Sequence, residues 1–100
     1  MAPSAQDLVG LEAVSRDGDR IGPVKDLIGD SGSASEYLVI KYGFFRDLVV
    51  PADMAERRGD EVALPFVRSF LDVAPRVSVK GPLAENDRRR LEEFYRPRAA

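Results

Sequence analysis

The chain predicts a mainly β domain: a small closed antiparallel β-barrel of five to six short strands, with one short helix and a C-terminal helix. Three observations predict it. Turn signals recur roughly every ten residues, the spacing of sandwiches and small barrels. The stretch EYLVIKYGFFRDLVVPADM, from Glu36 to Met54, reads as two apolar strands about a turn centred on Gly43. A chain of 100 residues is one domain, and closing its short strands into a barrel is a way to leave no bare edges.

The elements follow in order. Residues 1–8 read as a flexible N-terminal tail, 9–80 as the barrel and 81–100 as a helical extension. A first strand is expected over Leu11 to Ser15, ended by Arg16-Asp17-Gly18-Asp19, where Asp-Gly between apolar segments signals a hairpin. The second strand runs from Arg20 to about Gly29 and is interrupted by Gly22-Pro23. Proline cannot donate to a ladder, so Pro23 belongs at an edge or a bulge, and the broken alternation predicts a strongly bent strand. Residues 30–35 form a polar loop. Tyr37 to Tyr42 is the clearest strand, and Leu48-Val49-Val50 suits a strand covered on both faces. Pro51 ends it, and residues 52–55 read as a single helical turn.

Arg57-Arg58-Gly59-Asp60 reads as a turn, followed by a strand from Glu61 to Phe66. Phe66, Val67, Phe70 and Leu71 recur at helical spacing. Arg76 to Val79 predicts a short closing strand. After Gly81-Pro82, residues 84–95 read as a helix with Leu91, Phe94 and Tyr95 on one face.

Composition excludes several chemistries. The chain has no cysteine and no histidine. A disulfide, a thiolate nucleophile, a cysteine zinc site and the histidine-based triads are therefore unavailable. Its net charge of −2 lacks the basic excess of a general nucleic-acid binder. The N-terminus is not a secretory signal, and no apolar run approaches the ~20 residues of a membrane helix. A cytoplasmic protein is expected, and the Arg-, Ala-, Gly- and Pro-rich composition suits a GC-rich bacterial genome.

DGDRIGPVKDLIGD, YLVIKYGFF, LVVPADM, RRGDEVALPF and APRV, in this order and spacing, resemble the PRC-barrel domain. That domain is named for the cytoplasmic part of the reaction-centre H subunit and also forms the C-terminal domain of ribosome-maturation factors. The resemblance covers Leu11 to Val77, and a charged helix ending in an aromatic pair, here Phe94-Tyr95, is similar to that of stand-alone members. It implies a compact six-stranded barrel that often self-associates, acts as an assembly or adaptor module and brings no catalytic residues or cofactor. The chain departs from it in a shorter turn after Gly43 and in Pro23.

Candidate chemistry is sparse. Asp17, Asp19 and Asp60 flank glycines, where carboxylates bond turn backbone. Asp26 sits in an apolar segment and is expected to bond backbone amides at a strand bend, with a partner or ligand contact as the alternative. Arg88-Arg89-Arg90 is surrounded by Glu85, Asp87, Glu92 and Glu93, so i,i+4 pairs neutralise it and nucleic acid is not the expected partner. Two adjacent aromatics, Phe44 and Phe45, rarely both point inward at a turn: either one caps the core and the other is partly exposed, or they offer an apolar patch to a partner. They lead the candidate interaction residues, with Phe70, Leu91, Phe94 and Tyr95. The expected activity is a non-enzymatic protein–protein contact, as a homodimer or with another protein. Its rivals are an RNA- or ribosome-associated module and a small-ligand-binding or enzymatic barrel.

Overall fold

The computed structural model describes residues 5–29, 36–44, 46–77, 79–80 and 83–96. Its six strands are β1 (Glu12–Val14), β2 (Arg20–Ile28), β3 (Tyr37–Tyr42), β4 (Arg46–Pro51), β5 (Glu56–Arg58) and β6 (Glu61–Ala63). Two helices follow, α1 (Arg68–Asp72) and α2 (Glu85–Tyr95). The strands form one sheet in the order β4-β3-β2-β1-β6-β5.

β1 to β4 make an antiparallel meander, and β5 and β6 pair as a hairpin. Gly59, with φ +64°, takes the first position of the two-residue turn between them, a left-handed conformation that favours glycine. β6 joins the meander beside β1 in parallel register, Ala13 opposite Val62. The sheet is therefore mixed rather than wholly antiparallel, because β6 reaches β1 through a long crossover instead of a hairpin. Closure by a ladder is also corrected: among the described residues no strand pairing links the edge strands β4 and β5. They are nonetheless consecutive in sequence, separated by residues 52–55, of which Ala52–Met54 form a 3-10 turn. Such a link spans roughly 10 Å. A flat six-stranded sheet would hold its edges about 24 Å apart. The sheet is thus curled until its two rims meet at one end.

The curl begins in β2. Register slips leave Ile21 unmatched against β1 and Lys25 unmatched against β3, so two bulges flank Pro23. A bulge adds twist and bends its strand. Between them Gly22, at φ +152°, lies so close to β3 that a Cβ there would stand 1.8 Å from the Lys41 carbonyl oxygen.

The interior is filled by side chains. Tyr37, Leu38, Val39 and Ile40 of β3 and Leu48, Val49 and Val50 of β4 are all buried, so both strands are covered on both faces. Ala13, Ile21, Val24, Val62, Leu64 and Leu71 complete the core, with Leu91 and Tyr95 from α2. α2 packs against edge strand β4.

Several boundaries differ from expectation: the strand expected over Glu61 to Phe66 stops at Ala63, and β4 starts at Arg46, within the expected turn. Ala5–Leu8 form a 3-10 turn rather than a frayed tail. Leu8 is buried there, and the following Gly10 amide donates to the Val24 carbonyl at 2.7 Å. Glu56–Arg58 is a strand, so the turn expected over Arg57–Asp60 is confined to Gly59 and Asp60. Arg76, Val77 and Val79 lie in irregular backbone, and Ser78 is outside the described residues. Val77 and Val79 still pack on the core, which satisfies their apolar side chains without a ladder.

Gly22→Ala is expected to cost about 3 kcal/mol, since the added methyl meets backbone and cannot be relieved by a rotamer change. Denaturant unfolding of the variant against the parent chain measures this, and a loss below about 0.5 kcal/mol would contradict the close approach of β2 and β3.

Candidate functional site

At the junction of the β3–β4 hairpin with α1, polar side chains from distant segments converge. α1 has only five residues, too few to hold itself together. Its carbonyl end is held by Arg46, whose Nη1 donates to the Asp72 carbonyl at 2.8 Å and whose Nη2 donates to those of Ala74 at 2.8 Å and Leu71 at 3.3 Å. A guanidinium suits a helix C-terminus because the last carbonyls lack partners and carry partial negative charge. Tyr42, opposite Arg46 in the β3–β4 register, donates its hydroxyl to Asp72, and Arg68 Nε donates to that hydroxyl at 3.4 Å.

The other end of α1 is anchored by the turn between β1 and β2. The Arg68 amide donates to Asp17 Oδ1 at 3.1 Å, and Ser15 donates its hydroxyl to the same carboxylate. The Ser15 hydroxyl and the Arg68 amide hold the Asp17 carboxyl below its ordinary range. Asp17 is thus a turn residue, as expected, that also reaches a helix 51 positions away. Asp26 accepts from the Leu27 amide at 2.8 Å, the structural role expected for it.

Phe44, at the tip of the β3–β4 hairpin, is 92% exposed. Phe45 lies outside the described residues. Val73, immediately after α1, is 70% exposed, and Val67, immediately before it, is 38% exposed. These are the three exposed large apolar side chains of the described residues. All three belong to segments that Arg46 and Tyr42 tie together.

The other candidates are drawn inward. Leu91 and Tyr95 are buried in the chain's own core. Phe70 stacks on Phe66 at 5.1 Å and on Phe94 at 4.4 Å, and Tyr95 tilts against Phe66 at 5.1 Å. Such aromatic pairs add roughly 0.5–1.5 kcal/mol beyond area burial. α2 is further held by Tyr37, whose hydroxyl donates to Glu92, and by an Arg96–Asp53 ion pair. Its charges are interleaved as expected but pair differently. Arg88 meets Glu85 at 3.1 Å and Arg90 meets Asp87 at 3.3 Å, both at i,i+3, while Arg96 meets Glu92 at 3.3 Å at i,i+4.

A half-open groove of about 450 Å³ lies outside the core, between the Ser15–Gly18 turn, Met54 and the β5–β6 hairpin. It is lined by Glu56 and Glu61 against Arg16 and Arg58. Glu56 and Arg58 pair with each other at 3.6 Å. Among the described residues no group of three carboxylates could hold a metal ion. No helix among them is long and apolar enough to cross a membrane.

The two buried tyrosines differ in what surrounds their hydroxyls. Burial, then the Glu92 bond, pushes the Tyr37 hydroxyl well above the tyrosine range, and burial does the same for Tyr95. Among the described residues Tyr95 Oη has no hydrogen-bond partner. Tyr37→Phe is expected to cost about 1–2 kcal/mol, whereas Tyr95→Phe is expected to be neutral or stabilising, because it removes an unsatisfied hydroxyl. Urea unfolding of the two variants makes the comparison, and equal losses would contradict it. Both groups titrate higher in the folded state, so above pH ~10 their deprotonation favours the unfolded chain and stability declines as pH rises. The double variant Tyr37→Phe/Tyr95→Phe is expected to lose that alkaline decline in unfolding midpoints followed from pH 7 to 12.

No curated protein matches the chain. The model of the PRC-barrel domain matches residues 4–81, a span that takes in all six strands, α1 and the hairpin–helix junction but ends before α2. With more than half of its length matched, and with a curled six-stranded sheet around a filled interior, the chain belongs to the PRC-barrel domain family.

Proposed function

We propose that this protein is a non-enzymatic, self-associating interaction module of the cytoplasm, whose curled sheet acts as a closed barrel and whose contact face is the β3–β4 hairpin tip with the flanks of α1. One observation supports the reading above the others. Phe44, Val67 and Val73 all sit on two segments pinned to each other by Arg46 and Tyr42. Apolar side chains on a rigid support lose little entropy on docking, which is what makes an interface anchor effective. A second copy presents the same face, so a two-fold contact sets apolar residues against apolar residues. The ribosome-associated alternative draws no comparable support, since Arg88 and Arg90 of the basic run are already paired with carboxylates.

Phe44→Ser and Val73→Ser are expected to raise the dimer dissociation constant by roughly tenfold each. Both side chains are solvent-exposed, so the monomer's unfolding midpoint is expected to stay unchanged. Light scattering across a dilution series reads the effect. A parent chain that stays monomeric, or mass profiles identical in parent and variants, would overturn the reading.

A further inference from the structure

We propose that Val67 is a specificity-determining residue of the contact face, held apolar at the cap of α1 because Asp17 caps that helix from a distant turn; this rests on the hairpin–α1 face proposed above. Three observations lead there. The first is the position of Val67. It directly precedes α1 with the extended backbone of an N-cap, φ −75° and ψ 156°, and its side chain makes no bond to the first turn. Its carbonyl accepts from the Phe70 and Leu71 amides at 3.1 and 3.2 Å, as an N-cap carbonyl does. Such a position strongly prefers Ser, Thr, Asp or Asn, whose oxygen pairs an amide that the helix leaves bare, and valine is among its poorest occupants. A helix of five residues has little else to hold it.

The second is where an acceptor comes from instead. The Arg68 amide, first of the helix, donates to Asp17 Oδ1 at 3.1 Å. That carboxylate is itself fixed, since the buried Ser15 donates its hydroxyl to it and takes the Asp19 amide at 3.0 Å. The β1–β2 turn therefore supplies from outside what residue 67 does not supply locally.

The third is that packing does not account for the valine. Its neighbours Phe66 and Phe70 lie against the core, whereas Val67 is exposed. A residue that suits its local backbone position poorly, and is neither buried nor bonded through its side chain, marks a place where stability yields to function. On the contact face that function is an apolar surface for the second copy. Asp17 is then a positioning residue: it steadies the start of α1 and leaves the cap position to methyl groups.

Full-length variants test this by urea unfolding at concentrations where the chain is monomeric and by light scattering across a dilution series. Val67→Thr keeps the shape of valine and adds a capping hydroxyl. It is expected to lower the unfolding equilibrium constant about threefold while raising the dimer dissociation constant about fivefold. Val67→Ala, with no cap to gain, is expected to weaken association without stabilising the monomer. Asp17→Ala is expected to lose both stability and association, and Asp17→Asn, which retains an acceptor oxygen, to keep most of both. The double variant Asp17→Ala/Val67→Thr is expected to regain stability but not association. A Val67→Thr chain no more stable than Val67→Ala, or one that associates like the parent, overturns the proposal. So does an Asp17→Asn chain no better than Asp17→Ala. Each of these results leaves the contact face standing where Phe44→Ser and Val73→Ser still weaken the dimer. A parent chain that is monomeric at every concentration overturns the face, and this inference with it, even where the order of stabilities holds.

Discussion

Everything in this fold depends on how closely β2 passes β3. With no side chain at Gly22, the β2 backbone comes within a methyl group's reach of the Lys41 carbonyl, and the bulges at Ile21 and Lys25 turn the strand on either side of Pro23. A straight β2 would leave a flat sheet with its rims far apart. The bent strand brings β4 and β5 near enough for a single 3-10 turn to join them. The same bend turns the inner residues of β1, β2 and β6 toward those of β3 and β4, so that one core forms without a second sheet. α1 and α2 then pack on the curled sheet, the first between the hairpin and the β1–β2 turn, the second against β4.

The polar side chains that matter most work at joints. Arg46 and Asp17 are far apart in sequence, yet they grip opposite ends of α1. This explains how a five-residue helix stays formed, and why apolar residues on either side of it are presented on a firm base. Tyr37 and Asp53 do the same for α2, from the start of β3 and from the turn after β4. The two helices thus stand on separate sets of supports.

Much of this was legible in the sequence, for particular reasons. β3 and β4 announced themselves because strands buried on both faces read as unbroken apolar runs. The trouble in β2 was visible as Gly22-Pro23, and α2 as a periodic stripe. Orientation was not legible: three residues at β1 and three at β6 say nothing about parallel or antiparallel pairing. β5 was hidden because Glu56, Arg57 and Arg58 are all exposed, the composition of a guarded edge strand and also of a turn. Val77 and Val79 mimicked a strand by alternation alone. At the candidate face, Phe44 stood out as one of two neighbouring aromatics. The parts played by Arg46, Val67 and Val73 did not, because they arise only when the hairpin and α1 meet.

The parallel seam between β1 and β6 sets the order in which the molecule can be finished. A chain emerging N-terminus first can zip its meander early, each hairpin closing on a neighbour a few residues away. One flank of Glu12–Val14 stays bare until Glu61–Ala63 have been made. The earliest strand to be synthesised is therefore among the last to be enclosed, and nascent chains spend the intervening interval with a sticky border on show.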